Sequence, residues 1–149
     1  MHIGLLAAMP EELGQILDNI KVIETKKIGD LEIFSGIWIN KNKKKILLTV
    51  AWSGWGKVSA ARASTRLISN TFQNCKVDLV VFTGVAGAVN KKLKQWDIIL
   101  SEAVIQHDMD ARPLFNKFVI PAIGDKQIKV KDNLINYFYD VLEKNIRIK

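Results

Sequence analysis

A chain of 149 residues, 48% hydrophobic and 25% charged, has the make-up of one soluble globular domain able to bury its own core. Its single cysteine, Cys75, excludes an internal disulfide framework and a multi-cysteine zinc site, and His2 and His107 alone do not make a histidine metal centre. The net charge of +7 comes from 18 lysines and only four arginines, which argues against nucleic acid, because bidentate phosphate and base recognition favours arginine.

From the amino end, residues 2–8 form an unbroken apolar run that stops at Met9-Pro10, the pattern of a buried strand. The run lacks a basic leader region and is cut short by Glu11 and Glu12, so a reduced, cytoplasmic setting is expected rather than a secretory signal. Pro10-Glu11-Glu12 open a helix, since proline suits a first helical position and carboxylates suit the positive end of the helix dipole. Leu13, Ile16, Leu17 and Ile20 form its apolar face. From 21 to 52 the period falls to two. Leu31, Ile33, Ile37 and Ile39 alternate between a Gly29-Asp30 turn and a lysine-rich tip at residues 40–45, which predicts antiparallel strands.

A strand over 46–52 leads into Ser53-Gly54-Trp55-Gly56-Lys57. A helix follows, with Val58, Ala61, Thr65, Ile68 and Phe72 as its inward stripe. Residues 77–82 read as a strand covered on both faces, ending in Thr83-Gly84-Val85-Ala86-Gly87-Ala88. A further strand is expected over 97–106, then a loop through Pro113 and Pro121. A last helix begins near Asp132, with Leu134, Phe138, Val141 and Leu142 inward. No apolar run reaches the ~20 residues of a membrane span. Strands alternating with helices predict an α/β fold with a mixed sheet.

Two glycine-bearing loops follow apolar strands, where ligands bind in open α/β sheets. Neither is a Walker A or a GxGxxG motif, and an ordinary strand-to-helix turn explains each taken alone. Glu11 and Glu12 carry the same double meaning: dipole carboxylates, or carboxylates at a site, since their helix starts where the first strand ends. His107-Asp108-Met109-Asp110 falls short of a metal ligand set.

Together, residues 3–12, 53–57, 83–88, Asp97-Ile98-Ile99 and His107-Asp108-Met109-Asp110 stand in the order and spacing of one family. The chain resembles the bacterial 5′-methylthioadenosine/S-adenosylhomocysteine nucleosidases of the nucleoside phosphorylase superfamily, over roughly the first two-thirds of the family's length. The resemblance implies a phosphorylase/hydrolase-like three-layer sandwich with a mixed central sheet, C-terminally truncated, with residues 1–149 as a single partial domain. It implies hydrolysis of the N-glycosidic bond of these thio-nucleosides to adenine and a thioribose, as in methionine salvage, with no cofactor and no metal.

By the same resemblance Glu12 is the catalytic carboxylate that orients the water. Ala8, Met9, Trp55, Val85, Ala86 and Gly87 bind substrate, and Phe115 reaches a neighbour's site across a homodimer. The expected partners are a small-molecule purine nucleoside, a second copy of the chain and, as an alternative, a separate C-terminal fragment, with no nucleic acid and no membrane.

The sequence departs from the family pattern in places. Trp96 stands where the family usually has glycine, Val85 where many members have serine, and Trp55 where a smaller apolar residue is usual. The Met-Glu pair that binds the ribose hydroxyls and the Ser-Asp-x-Ala-Asp motif whose first Asp protonates the purine do not occur in the sequence. Two readings therefore stand side by side: a hydrolase impaired on its own, and a non-catalytic remnant that binds purine nucleoside weakly or associates with a partner chain. A phosphorylase would need a basic phosphate pocket, for which Arg62 and Arg66 are the nearest residues in sequence.

Overall fold

A computed structural model describes residues 1–145. The chain divides into two compact units, Met1–Gly87 and Ala88–Lys149. The first holds a five-stranded sheet of β1 (His2–Ala7), β2 (Lys21–Ile28), β3 (Leu31–Ile39), β4 (Lys45–Trp52) and a short edge strand at Leu79–Phe82, in the order β2-β3-β4-β1-edge. Strand β1 runs parallel to β4 and to the edge strand, with Ala7 opposite Trp52 and Leu6 opposite Phe82. The β2-β3-β4 ribbon is antiparallel. The mixed sheet predicted from the alternation is therefore present.

Each face of this sheet carries its own core. On one face Leu6, Leu31, Ile33 and Ala51 pack with Ala63 and Leu67 of helix α2 (Lys57–Ser69), with Val80 against them. On the other, Ala7, Leu48 and Val50 pack with Leu13 and Ile20, backed by Ile16 and Leu17. These two cores make the helix–sheet–helix layering of an α/β fold. The turns are the expected ones. Gly29 has φ +66°, and at the lysine tip the Asn40 side chain accepts the N–H groups of Asn42 and Lys44, leaving the lysines exposed.

Several local expectations change. Residues 10–20 are not one helix but a 3-10 turn, Pro10–Leu13, and a one-turn helix α1, Ile16–Asn19. Gly14, at φ +52°, separates them, a conformation that ends helical propagation. The apolar face is nevertheless the one expected, with Leu13 and Ile20 buried. Helix α2 is turned relative to the predicted stripe: Val58 is 86% exposed and Ile68 56%, while Ala63 and Leu67 are fully buried. Leu67 can face the sheet because β1 carries no side chain at Gly4. A Cβ on Gly4 of β1 would lie 3.0 Å from the Leu67 side chain.

The strand at residues 79–82 is half-buried rather than covered on both faces, because it forms an edge of the sheet; Phe82 at its end is 61% exposed. In the second unit the strand expected over 97–106 shrinks to a two-residue pairing of Ala103–Val104 with Ile128–Lys129. Helix α3 (Asp132–Asn145) begins where predicted, with Leu134, Phe138 and Leu142 half-buried and Val141 exposed. Among the described residues no helix is long and apolar enough to cross a membrane.

Candidate active site

Three segments are knitted together at the carboxyl ends of the parallel strands. The N–H groups of Ser53 and Gly54 donate to the Ala7 and Ala8 carbonyls at 2.9 and 3.0 Å, and Thr83 N–H donates to Leu6 at 2.9 Å. The glycine loop after β4 can take this path because Gly54 and Gly56 sit at φ +76° and +96°, values that L side chains rarely adopt. The loops at residues 8–12, 53–57 and 83–87 therefore gather at one end of the sheet, where this topology places ligand sites.

Glu12 stands at the centre of that end. Its Oε2 accepts the backbone N–H groups of Ala8 at 2.8 Å and Met9 at 3.0 Å, and its Oε1 accepts that of Val85 at 3.0 Å. The first two bonds belong to a helix-start carboxylate reaching back over its own turn. The third does not. Val85 lies 73 residues away, so the carboxylate also ties the end of β1 to the end of the edge strand. Chiefly the Val85 amide, helped by those of Met9 and Ala8 and opposed by partial burial, holds the Glu12 carboxyl below the ordinary carboxylate value. The group is an anion at neutral pH. An ionised carboxylate has about four acceptor positions, and three amides leave one of them open.

The other predicted site residues fall into two groups. Ala8, Met9, Val85, Ala86 and Gly87 share the first unit with Glu12, and three of them supply the amides just described. Trp55 lies in the loop whose Gly54 is bonded to Ala8, and its side chain is 78% exposed. Phe115 belongs to the second unit, where it is 40% exposed and its N–H donates to the Ala111 carbonyl. A cleft of roughly 580 Å³ in that unit is lined by Glu102, Gln127, Lys129 and Asp132 among others, and by none of the residues predicted to bind substrate.

Two possibilities narrow on charge pairing. Arg62, the candidate phosphate ligand, is engaged in a fork with Asp30, at 2.6 and 3.0 Å. Asp110, with Asp108 one of two possible substitute acids, is clamped by Arg112 at 2.8 and 2.6 Å, and the guanidinium draws its carboxyl down to about 2. A general acid must carry its proton near neutral pH, so Asp110 is unsuited to that work. Trp96 has φ +77°, the left-handed region where glycine is at ease, in keeping with its place at a glycine position of the family pattern. Among the described residues no group of three His, Cys, Asp or Glu side chains could hold a metal ion.

Sequence reasoning missed the close approach of Glu12 to Gly84, where an added Cβ would lie 2.8 Å from Oε1. It also missed the long-range amide of Val85. The one signal available was that a glycine follows Thr83 at a strand end.

Comparison with known proteins agrees with this fold. The family model described as the phosphorylase superfamily matches residues 2–149. A futalosine hydrolase of Helicobacter pylori is 29% identical, with a TM-score of 0.78, over 97% of this chain and 58% of its own. A mutant nucleosidase of the same organism, solved with 5′-methylthioadenosine in its active site, is 28% identical with a TM-score of 0.79, over 96% and 58%. An S-adenosylhomocysteine nucleosidase of Streptococcus pyogenes, in complex with 5-methylthiotubericidin, is 26% identical with a TM-score of 0.81, over 97% and 57%. The chain thus spans under two thirds of the length of these solved relatives.

Proposed function

The chain belongs to the phosphorylase superfamily, and from that premise we propose that it serves the hydrolysis of 5′-methylthioadenosine and S-adenosylhomocysteine to adenine and a thioribose. The observation that carries this reading is the Glu12 carboxylate, held as an anion by amides from two strand ends with acceptor capacity to spare. Breaking an N-glycosidic bond passes through an oxocarbenium-like sugar, so a fixed carboxylate that orients and deprotonates the attacking water is half of the chemistry. In this reading Ala8, Met9, Trp55, Val85, Ala86 and Gly87 line the nucleoside, and residues 1–149 form one part of the family's domain. Phe115 reaches across a homodimer to the thio-substituent. The reaction would serve methionine salvage in the cytoplasm.

The other half is an acid that protonates the leaving purine, which is a poor anion. The family's Ser-Asp-x-Ala-Asp motif is absent from the 149 residues, and Asp110 is held ionised by Arg112. In this reading the 149 residues supply the water-orienting half, and the acid comes from another segment. The same observation favours a second reading, in which the chain binds a purine nucleoside without turnover.

Adenine release from 5′-methylthioadenosine separates the two. Losing a positioned acid removes ~10²–10⁴-fold in rate, so the 149-residue chain alone should fall at least that far below a full-length relative. A segment carrying Met-Glu and Ser-Asp-x-Ala-Asp, supplied in trans, should raise the rate, and Glu12→Gln should abolish the gain. Release by the chain alone within about tenfold of a full-length relative would contradict the need for a second segment. Failure of Glu12→Gln to lower a restored rate would contradict the assignment of Glu12.

A further inference from the structure

Gly84 sits between Thr83, which closes the edge-strand pairing, and Val85, which donates to Glu12. Its backbone does not occupy the left-handed region, so freedom of φ is not what this position requires. The demand is for space. A Cβ added there would lie 2.8 Å from Glu12 Oε1, 3.0 Å from Cδ and 3.2 Å from Oε2, so its three nearest neighbours all belong to one carboxyl group. Gly87, three residues on in the same loop, has nothing within 4 Å of such a Cβ.

We propose that Gly84 is a positioning residue for Glu12: its missing side chain is the seat that lets the carboxylate reach the Val85 amide and face the strand ends. The inference deepens the nucleosidase reading, because it assigns a residue that sets the orientation of the water-binding carboxylate. It stands on geometry that exists whether or not a nucleoside binds. The contact would be with the far end of a flexible side chain, so a methyl group at residue 84 displaces the carboxylate rather than unfolding the sheet. Once displaced, Oε1 loses the Val85 amide, and the carboxylate keeps only the local pair that Ala8 and Met9 donate to Oε2. The acidity of Glu12 then follows. The influences on it are backbone amides and partial burial, with no charged side chain among them, and its titratable neighbour on the same turn is Glu11.

The test needs no substrate. In protein labelled at the Glu carboxyl carbons, Gly84→Ala should move the Glu12 titration midpoint upward and speed hydrogen exchange at the Val85 amide, while the melting temperature stays within a few degrees. Gly87→Ala should change neither signal. In a Glu12→Ala background, Gly84→Ala should leave Val85 exchange as it is. A Glu12 midpoint and Val85 exchange unchanged by Gly84→Ala would overturn the proposal, as would an equal effect of Gly84→Ala on Val85 with Glu12 absent. Either result would leave the nucleosidase reading standing, since that reading fails on adenine release and not on these signals.

Discussion

At the amino end of β1, His2 is fully buried and belongs to a closed hydrogen-bond network; at the carboxyl end, Glu12 is part-exposed and belongs to an open one. His2 Nδ1 lies 3.1 Å from the Cys75 carbonyl, so it is the donor nitrogen. Nε2 lies 2.7 Å from Thr49 Oγ1, so the ring and the threonine hydroxyl share a hydrogen bond. Thr49 and Ser35 lie 2.9 Å apart, the Asn70 amide donates to both, and Lys26 Nζ donates to Asn70 Oδ1 at 2.9 Å. Among the described residues no buried side-chain polar atom lacks a partner. Polar groups saturated in this way stabilise a fold but have nothing left to offer a ligand. Glu12 is anchored by three amides and still has room for a fourth donor, which is what a site needs.

If that contrast is right, the two ends should respond oppositely to mutation. The largest effect is expected for Thr49→Val, which removes a hydroxyl shared by His2, Ser35 and Asn70 and leaves buried groups unpaired. Urea unfolding should show a loss of about 3 kcal/mol, with the Glu12 titration unmoved. A loss below about 1 kcal/mol would mean that the network is not the brace described. Glu12→Gln should cost less, about 1 kcal/mol at neutral pH, because the amide keeps one acceptor oxygen and the position is part-exposed.

Acidity sharpens the same point. The folded-state value of Glu12 lies below its ordinary 4.5. Its contribution to stability is therefore fully present above about pH 4.5 and is lost as the pH falls through the lowered value. The stability gap between wild type and Glu12→Gln should close over that acid interval; a gap that widened there would reverse the sign of the effect. Smallest of all is Glu11→Gln. Glu11 is an exposed first-turn carboxylate worth ~0.3–1 kcal/mol to the helix start, and its loss should leave the Val85 amide untouched.

Legibility from sequence followed the range of the interactions. Strand β1, the turn at Gly29, the lysine tip and α3 depend on neighbours a few residues apart, and period and turn chemistry reveal them. The buried stripe of α2, Ala63 and Leu67, differs from the apolar periodicity because Leu67 fits a gap left by Gly4 in a strand whose sequence reads only as apolar. His2 could be weighed only as a metal ligand, and its true partners lie 47 and 73 residues away. For the site, the first-turn position of Glu12 points to a helix-dipole carboxylate, and the family resemblance implies its role. The Val85 amide and the seat at Gly84 arise only when the two strand ends are brought side by side.

The most direct test of the contrast is a nuclear magnetic resonance titration of the chain with 5′-methylthioadenosine, following the Glu12 carboxyl carbon together with backbone amides at both ends of β1. The account predicts shifts at Glu12, Ala8, Met9 and Val85, with Thr49 and Asn70 unchanged. Shifts confined to the His2–Thr49–Asn70 end, or none at the Glu12 end at saturating nucleoside, would contradict it.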